Sequence, residues 1–415
     1  MKMMLTHPTG NENVRALLIA LERTGLLHSF HTTIAINPDS FAFRLLPVKA
    51  RKELQKRVYP VNYADIHTKP LLEMGRYLMP RIGLKYLVEQ EAGLLSIDQV
   101  CRNLDLAAAA KLSAFKKQGL DAIYAYEDSA FHTFKAAKQQ GIQCIYDLPI
   151  GYWKAARILL QQERDRWPQW VSTIPGLRDG AEKLERKDEE LRLAERIFVA
   201  SSFTAKTLKE YPGKLAPVEI IPYGFPAVAV DRHYTEFKNR RLKLLYVGSL
   251  SQRKGIADLF AAVKNLSDEV ELTILGPKTG ADCPALDHAL KAHRYIPPVP
   301  HDEVLRIMQE HDVLVFPSLF EGFGLVITEA MSQGMPVITT DRTAGPDLIT
   351  HGKDGWLIEA GSTIALQQAI EKLLDQPDLV TAAGLAAIAT ARKRPWFCYG
   401  KELTSALKGV IHETA

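Results

Sequence analysis

A chain of 415 residues is longer than one ordinary hydrophobic core and points to two domains or more. Hydrophobic residues at 47% and charged residues at 24% are globular values, which excludes a disordered, collagen-like or low-complexity chain. The net charge of +4 divides unevenly: 29 Lys and Arg against 23 Asp and Glu in residues 1–200 give +6, and 23 against 25 in residues 201–415 give −2.

The opening MKMMLTHPTG lacks the apolar run of a signal peptide, and no stretch of about 18 apolar residues is present to span a membrane. Lys2–Thr6 reads as a strand and THPTGNEN as a turn. Val14–Gly25 (VRALLIALERTG) has helical spacing, with Asn11 or Asn13 as N-cap and Gly25 just past the end. Phe30–Asn37 follows as a second strand. The segment Val48–Pro60 (VKARKELQKRVYP) sets Lys49, Arg51, Lys52, Lys56 and Arg57 against the single Glu53. Its plain reading is a solvated helix face. Its sharper reading is a patch touching anionic lipid or an acidic acceptor, at about 1 kcal/mol per basic side chain.

Leu120–Glu127, Gln143–Pro149 and Arg196–Ser202 repeat a strand-then-loop pattern, separated by helical segments such as Thr133–Gly141. The Pro- and Gly-rich stretch Tyr211–Tyr234 reads as a junction between domains, around a short strand. Beyond it, Leu242–Gly248, Val270–Gly276, Asp312–Ser318 and Met335–Thr340 are short apolar strands, each with a helical segment nearby. Such alternation predicts parallel sheets with crossover helices, and two facing sheets leave a cleft at the carboxyl ends of their strands. The four cysteines, Cys101, Cys144, Cys283 and Cys398, are far apart and form no C-x-x-C pair, the pattern of reduced core thiols in a cytosolic protein.

Two segments of the second half carry chemistry. In Phe316–Thr340 (FPSLFEGFGLVITEAMSQGMPVITT) the strand is expected to end at Ser318 and a helix to begin near Gly324 and stop at Gly334. Glu321 then sits on the loop and Glu329 about five residues into the helix, roughly 7.5 Å along its axis. The free N–H groups near Gly324 to Val326 favour an anion. Glycines at 322 and 324 would let a phosphate or sugar approach the backbone. The plainer alternative is a Ser318-x-x-Glu321 capping box with Glu329 on a helix surface. In Leu244–Phe260 (LLYVGSLSQRKGIADLF) a strand runs through Gly248 into a polar loop that offers Arg253 and Lys254. No Walker A loop, no Gly-x-Gly-x-x-Gly and no Asp-x-Asp occurs, so a diphosphate there meets side-chain cations.

Over Ile220 to Gly361 the sequence resembles the retaining GT-B glycosyltransferases of family 4. It carries IPYGFP, VGSLSQRKG, LTILGP, the E-x7-E element EGFGLVITE, QGMPVITT and AGPDLITHGKDGWLI in order. The resemblance implies an α/β GT-B fold, two Rossmann-like domains facing a central cleft: an acceptor-side domain 1–217, a donor-binding domain 218–391 and a helix in 392–415 crossing back. It also implies Glu321 on the donor-sugar hydroxyls and Glu329 on the ribose hydroxyls. Arg253 and Lys254 would then hold the diphosphate beside the Gly324 and Leu325 N–H groups, with Gly248, Gly322, Phe323 and Val326 completing the donor set.

The first half departs from that pattern. THPTGNEN replaces a Gly-Gly loop and leaves Gly10 as the match. Tyr126, beside Glu127 and Asp128, stands where many relatives have a histidine, and Asp147 stands at a second such position. Tyr126, Glu127 and Asp147 are therefore the candidate catalytic residues of this domain, while His7 and His132 read as structural. The implied reaction moves a sugar, with retention and without a metal or further cofactor, from a UDP- or GDP-sugar to a glycan or lipid-linked acceptor in polysaccharide or glycolipid synthesis. The alternatives are a sugar-nucleotide epimerase and an inactive nucleotide-sugar-binding partner. The expected location is the cytoplasm, with peripheral contact at the inner face of an anionic membrane and no nucleic-acid partner.

Overall fold

The structure, a computed structural model, describes every residue except 46, 49–50, 52–53, 175–178, 235–239, 280–281 and 410–415. Two parallel sheets organise it. The first contains β1 (Met3–Thr6), β2 (Leu27–Thr32), β3 (Ile66–Thr68), β4 (Ala122–Tyr126), β5 (Gln143–Leu148), β6 (Arg196–Val199) and β7 (Val218–Ile220). The second contains β8 (Leu242–Val247), β9 (Val270–Leu275), β10 (Arg294–Ile296), β11 (Val313–Phe316), β12 (Val337–Thr340) and β13 (Gly355–Ile358). Strand order is β3-β2-β1-β4-β5-β6-β7 in one and β10-β9-β8-β11-β12-β13 in the other. This is the doubly wound arrangement expected from the alternation. Each order reverses once, between β1 and β4 and between β8 and β11, and such switch points open a crevice at the strands' carboxyl ends.

Both faces of the inner strands are covered, so β1, β4, β11 and β12 are buried at every position. Met3 and Leu5 point to one side, among residues of helix Glu12–Arg23 and the C-terminal helix; Met4 points to the other, toward Ala108 and Phe134. Helix Glu12–Arg23 begins after Asn11 as N-cap, and Gly25 follows its end at φ +65°. The second strand occupies Leu27–Thr32 rather than Phe30–Asn37. It ends there because Thr33 turns back on Pro8, whose carbonyl accepts the Thr33 N–H at 3.3 Å and hydroxyl at 2.6 Å. The short strand read inside the junction is β7, paired with β6, so the first sheet runs past residue 217.

Helix Trp396–Leu407 returns to the first domain. A side chain at Gly400 would meet the Ala16 carbonyl and the Ala20 methyl at 2.9 Å, so the two helices approach at backbone distance. Tyr399, Leu403 and Leu407 are buried there, stabilising the return by about 1.5–3 kcal/mol each. Cys101, Cys144 and Cys283 are buried free thiols as expected; Cys398, on this returning helix, is only half-buried. No described helix is long and apolar enough to cross a membrane.

Candidate functional site

A cleft of about 490 Å³ opens where the two switch points face each other. On the second-domain side, β8 leads through Gly248 to a single turn at Gln252–Lys254, whose first donor is capped by Ser251 Oγ (3.2 Å from Arg253 N). Gly255 follows at φ +70°, and any Cβ there would sit 2.0 Å from the Pro317 carbonyl. That turn brings both cations beneath β11. Arg253 Nη1 donates to the Phe320 carbonyl at 2.7 Å and stands 3.6 Å from Glu321 Oε2; Lys254 Nζ is ion-paired with the same oxygen. Burial, and after it the Arg253 charge, holds the Lys254 pKa well below its ordinary value, while the ion pair with Glu321 opposes both. Burial also lowers Arg253. These are cations short of solvation, which an entering anion would relieve.

The strand β11 ends at Phe316, two residues before the expected Ser318, because Pro317 has no N–H to continue the ladder. Helix Leu325–Ser332 starts after Gly324, which is at φ +88° and supplies no side-chain cap. The N–H groups of Leu325 and Val326 therefore stay available at the cleft wall. Ser318 Oγ lies 3.4 Å from Glu321 Oε2, but no helix begins between them, so no capping box forms.

Of the donor-side candidates, Gly248, Arg253, Lys254, Glu321, Phe323, Gly324, Leu325 and Val326 line the cleft. Gly322 does not. A Cβ on it would fall 1.9 Å from the Pro149 carbonyl, and its own carbonyl accepts from Ser201 Oγ (2.6 Å) and Thr204 Oγ1 (2.9 Å). Its missing side chain thus serves contact between the domains rather than approach of a ligand. Glu329 also stands off the lining, one helical turn beyond Leu325, with His301 Nδ1 at 3.8 Å; burial raises its pKa and the His301 charge opposes the rise.

The first-domain wall corrects the sequence reading more sharply. Tyr126 lines the cleft, and its hydroxyl is buried. Glu127 and Asp147 are absent from the lining. Glu127 is turned to Lys187 at 3.4 Å, and burial lifts its pKa to about 7. Asp147, a residue of β5, is buried and accepts from Tyr124 Oη at 2.6 Å; burial lifts it too to about 7. Gly10, at φ +68°, packs under the Tyr59 ring instead of facing the cleft. Of the basic segment, Lys49, Lys52 and Glu53 lie outside the described residues, and Arg57 is turned to Glu73 at 3.2 Å.

His7 is the residue the sequence reading undervalued. It lines the cleft with Asn11, Asn13 and Tyr223, and its ring meets Tyr126 edge-on at 4.7 Å. Its Nδ1 accepts from the N–H groups of Gly10 (2.8 Å) and Thr9 (3.1 Å), which assigns the proton to Nε2. Burial, and then the Arg57 charge, pushes its pKa down to about 3, so the ring is neutral. The signal was topological: β1 and β4 are neighbours with Thr6 opposite Ala125, which puts His7 beside Tyr126. His132, by contrast, stands off the lining at a helix start, its N–H donated to Asp105.

Residues 228–390, about two fifths of the chain and nearly all of them in the second domain, match the family model Glycosyl transferases group 1. Among curated proteins the chain is similar to a glycogen synthase of Mycobacterium tuberculosis (strain CDC 1551 / Oshkosh), 26% identical over 294 residues, 68% of this chain and 66% of that protein. It is also similar to a D-inositol 3-phosphate glycosyltransferase of Corynebacterium jeikeium (strain K411), 28% identical over 305 residues, 62% of this chain and 71% of that protein. The match thus covers just under two thirds of the length of the glycogen synthase. Among solved structures, sucrose-phosphate synthase from Thermosynechococcus elongatus aligns over 99% of both chains, with a TM-score of 0.68 and 16% identity. Anabaena HepE in complex with UDP aligns over 99% of this chain and 100% of that one, with a TM-score of 0.62 and 16% identity. These likenesses establish the GT-B fold.

Proposed function

We propose that the protein is a retaining glycosyltransferase that moves a sugar from a UDP- or GDP-sugar to a glycan or lipid-linked acceptor. The observation that carries this reading is the convergence of Arg253, Lys254, Glu321 and the free N–H groups of Leu325 and Val326 on one wall of the cleft. In this reading the diphosphate lies on the two cations and the helix N-terminus, and Glu321 turns from the cations to the sugar hydroxyls. Glu329, a turn further on, takes the ribose hydroxyls.

The bond from the anomeric carbon to the diphosphate oxygen breaks, and a bond to the acceptor oxygen forms on the same face. The acceptor's proton passes to the departing phosphate oxygen. Preorganised charge aimed at that oxygen is the main catalytic term, since it needs no reorganisation as negative charge develops. Tyr126 and the neutral His7 close the opposite wall. His7 Nε2–H serves as a donor to a substrate oxygen, and cannot act as a base while Nδ1 holds two backbone N–H groups.

The test begins with a thermal-shift screen of nucleoside diphosphates, in which a ligand at 100 times its Kd stabilises by about 2.7 kcal/mol. The matching sugar nucleotides are then incubated with glycan and polyprenyl-type acceptors. Release of nucleoside diphosphate with an axial- or equatorial-preserving product supports the reading. An epimerised sugar nucleotide, or tight binding without turnover across acceptors, overturns it. Activity is expected to persist in EDTA.

A further inference from the structure

Among the described residues, more than half of the exposed large hydrophobic side chains lie within residues 41–97, from beyond β2 to the start of the helix Ile97–Ala109. Within this segment the helix Pro70–Leu78 is turned the wrong way round for a soluble protein. Its one carboxylate, Glu73, is 0% exposed and held inside by Arg57 (3.2 Å) and Arg76 (2.7 Å). Leu71, 82% exposed, faces outward with Met74 and Leu78 at helical spacing, and Ile82 of the next turn continues the stripe at 66%. Rotating the helix by half a turn would hide the leucines and release the glutamate. The fold does the opposite, and a helix normally buries its apolar face.

The charge around this stripe is one-sided. Of the basic residues in this segment, Arg57 and Arg76 are turned inward to Glu73 and others remain at the surface. Lys69, Arg81 and Lys85 are exposed beside the stripe and make no ion pair among the described residues. An apolar stripe rimmed by basic side chains is the pattern of a helix lying in a lipid–water interface. A second copy of the chain fits less well, because a two-fold contact through this stripe would bring Arg81 and Lys85 against their own images.

We propose that the face formed by Leu71, Met74, Leu78 and Ile82, with Lys69, Arg81 and Lys85, docks on an anionic phospholipid surface. The apolar side chains enter the headgroup boundary and the cations meet lipid phosphates. Arg57 ties this face to the cleft, since it holds Glu73 with one nitrogen and donates to the Thr9 carbonyl with another (3.3 Å). Docking therefore brings the His7–Asn11 rim of the cleft toward the lipid. The surface does not depend on the transfer reading; where both hold, the acceptor reaches the cleft from the membrane side.

The test is flotation of the full chain with vesicles of phosphatidylglycerol and phosphatidylcholine, and of phosphatidylcholine alone, at low and high salt. Binding to the anionic vesicles is expected, weakened by salt and by phosphatidylcholine alone. Leu71→Glu with Leu78→Glu, both at exposed positions, should lower the partition coefficient by about tenfold or more, as should Arg81→Glu with Lys85→Glu. Absence of binding to anionic vesicles at low salt overturns the proposal. So does parental binding by the Leu71→Glu/Leu78→Glu variant at an unchanged melting temperature. A concentration-dependent dimer that this variant dissociates would make the face a contact between copies, and overturns it as well.

Discussion

The Glu321 carboxylate occupies the two cations proposed to hold the donor diphosphate. Lys254 Nζ is paired with it and Arg253 Nη1 stands 3.6 Å away, with the three side chains only 11–18% exposed. A nucleoside diphosphate must take these cations from Glu321 and, having no sugar, offers the carboxylate nothing in return. Glu321→Gln removes that competition and keeps the shape. The pair lies between the exposed and fully buried limits, so its net worth is about 1–2 kcal/mol. The variant should therefore bind UDP or GDP more tightly, by about 5- to 30-fold. A sugar nucleotide brings hydroxyls for the carboxylate, so its affinity should gain less, and turnover should fall by about 10²–10³.

Lys254→Ala should do the reverse for the diphosphate. It deletes a charge-assisted bond worth about 1.5–3 kcal/mol, raising Kd by about 10- to 150-fold. Because the two side chains touch, the effects of the double variant should not add. Titration calorimetry of the nucleoside diphosphate at fixed pH and low salt reads all three. If Glu321→Gln, at the parental melting temperature, binds UDP or GDP more weakly than the parent, the competition argument fails. Glu321 would then be holding the cations in place for the phosphate.

Three further outcomes are expected. Glu329→Ala should weaken nucleoside diphosphate binding by about tenfold through loss of its ribose contact, and unchanged affinity in calorimetry would return Glu329 to a structural role beside His301. His7→Asn keeps an acceptor for the Thr9 and Gly10 N–H groups but loses the Nε2 donor, while His7→Gln can keep a donor toward the cleft; kcat should fall about tenfold in the first and less in the second, with flat pH profiles near neutrality in the parent. Asp147, raised by burial to about 7, adds stability below its ordinary range and loses it as pH rises through about 7, at up to about 1.4 kcal/mol per pH unit. Asp147→Asn keeps an acceptor for Tyr124 and should make the melting temperature fall less steeply across that window, although Glu127 and Glu190, lifted to about 7 and about 8, retain part of the slope.

The second domain's wall of the cleft was legible because its residues are local in sequence. Gly248, Arg253, Lys254 and Glu321 each sit on a loop that directly follows a buried apolar strand, and the helix start at Gly324 is written in its glycines and spacing. The first domain's wall was not, because its members come from three distant segments. Tyr126 was found from its strand, but whether Glu127 and Asp147 point to the cleft or away depends on strand pleat and on what packs beneath. Tyr124 and Lys187 claim those two carboxylates, and neither partner is near in sequence. His7 became visible only through the β1–β4 pairing. Gly322 misled for a different reason: a glycine that admits close approach does not say whether a ligand or another backbone approaches.

What approaches Gly322 explains how the two walls are held. Its carbonyl is bonded by Ser201 and Thr204, and Pro149 lies against its Cα, so the residue after Glu321 is fixed to the first domain. The residue before Arg253 is fixed in the same way. Gln252 N–H donates to Thr173 Oγ1 at 3.0 Å and its side chain to Glu163 at 2.9 Å, both in the segment that follows β5. Asp347 adds a third tie by accepting from the Ser202 N–H and hydroxyl. Each loop that presents charge to the cleft is thus anchored to the opposite domain by the residue next to the one that presents it. Separating the domains would release Gln252 and Gly322 together, and with them the placement of Arg253, Lys254 and Glu321. The geometry that can bind a diphosphate is therefore a property of the joined domains.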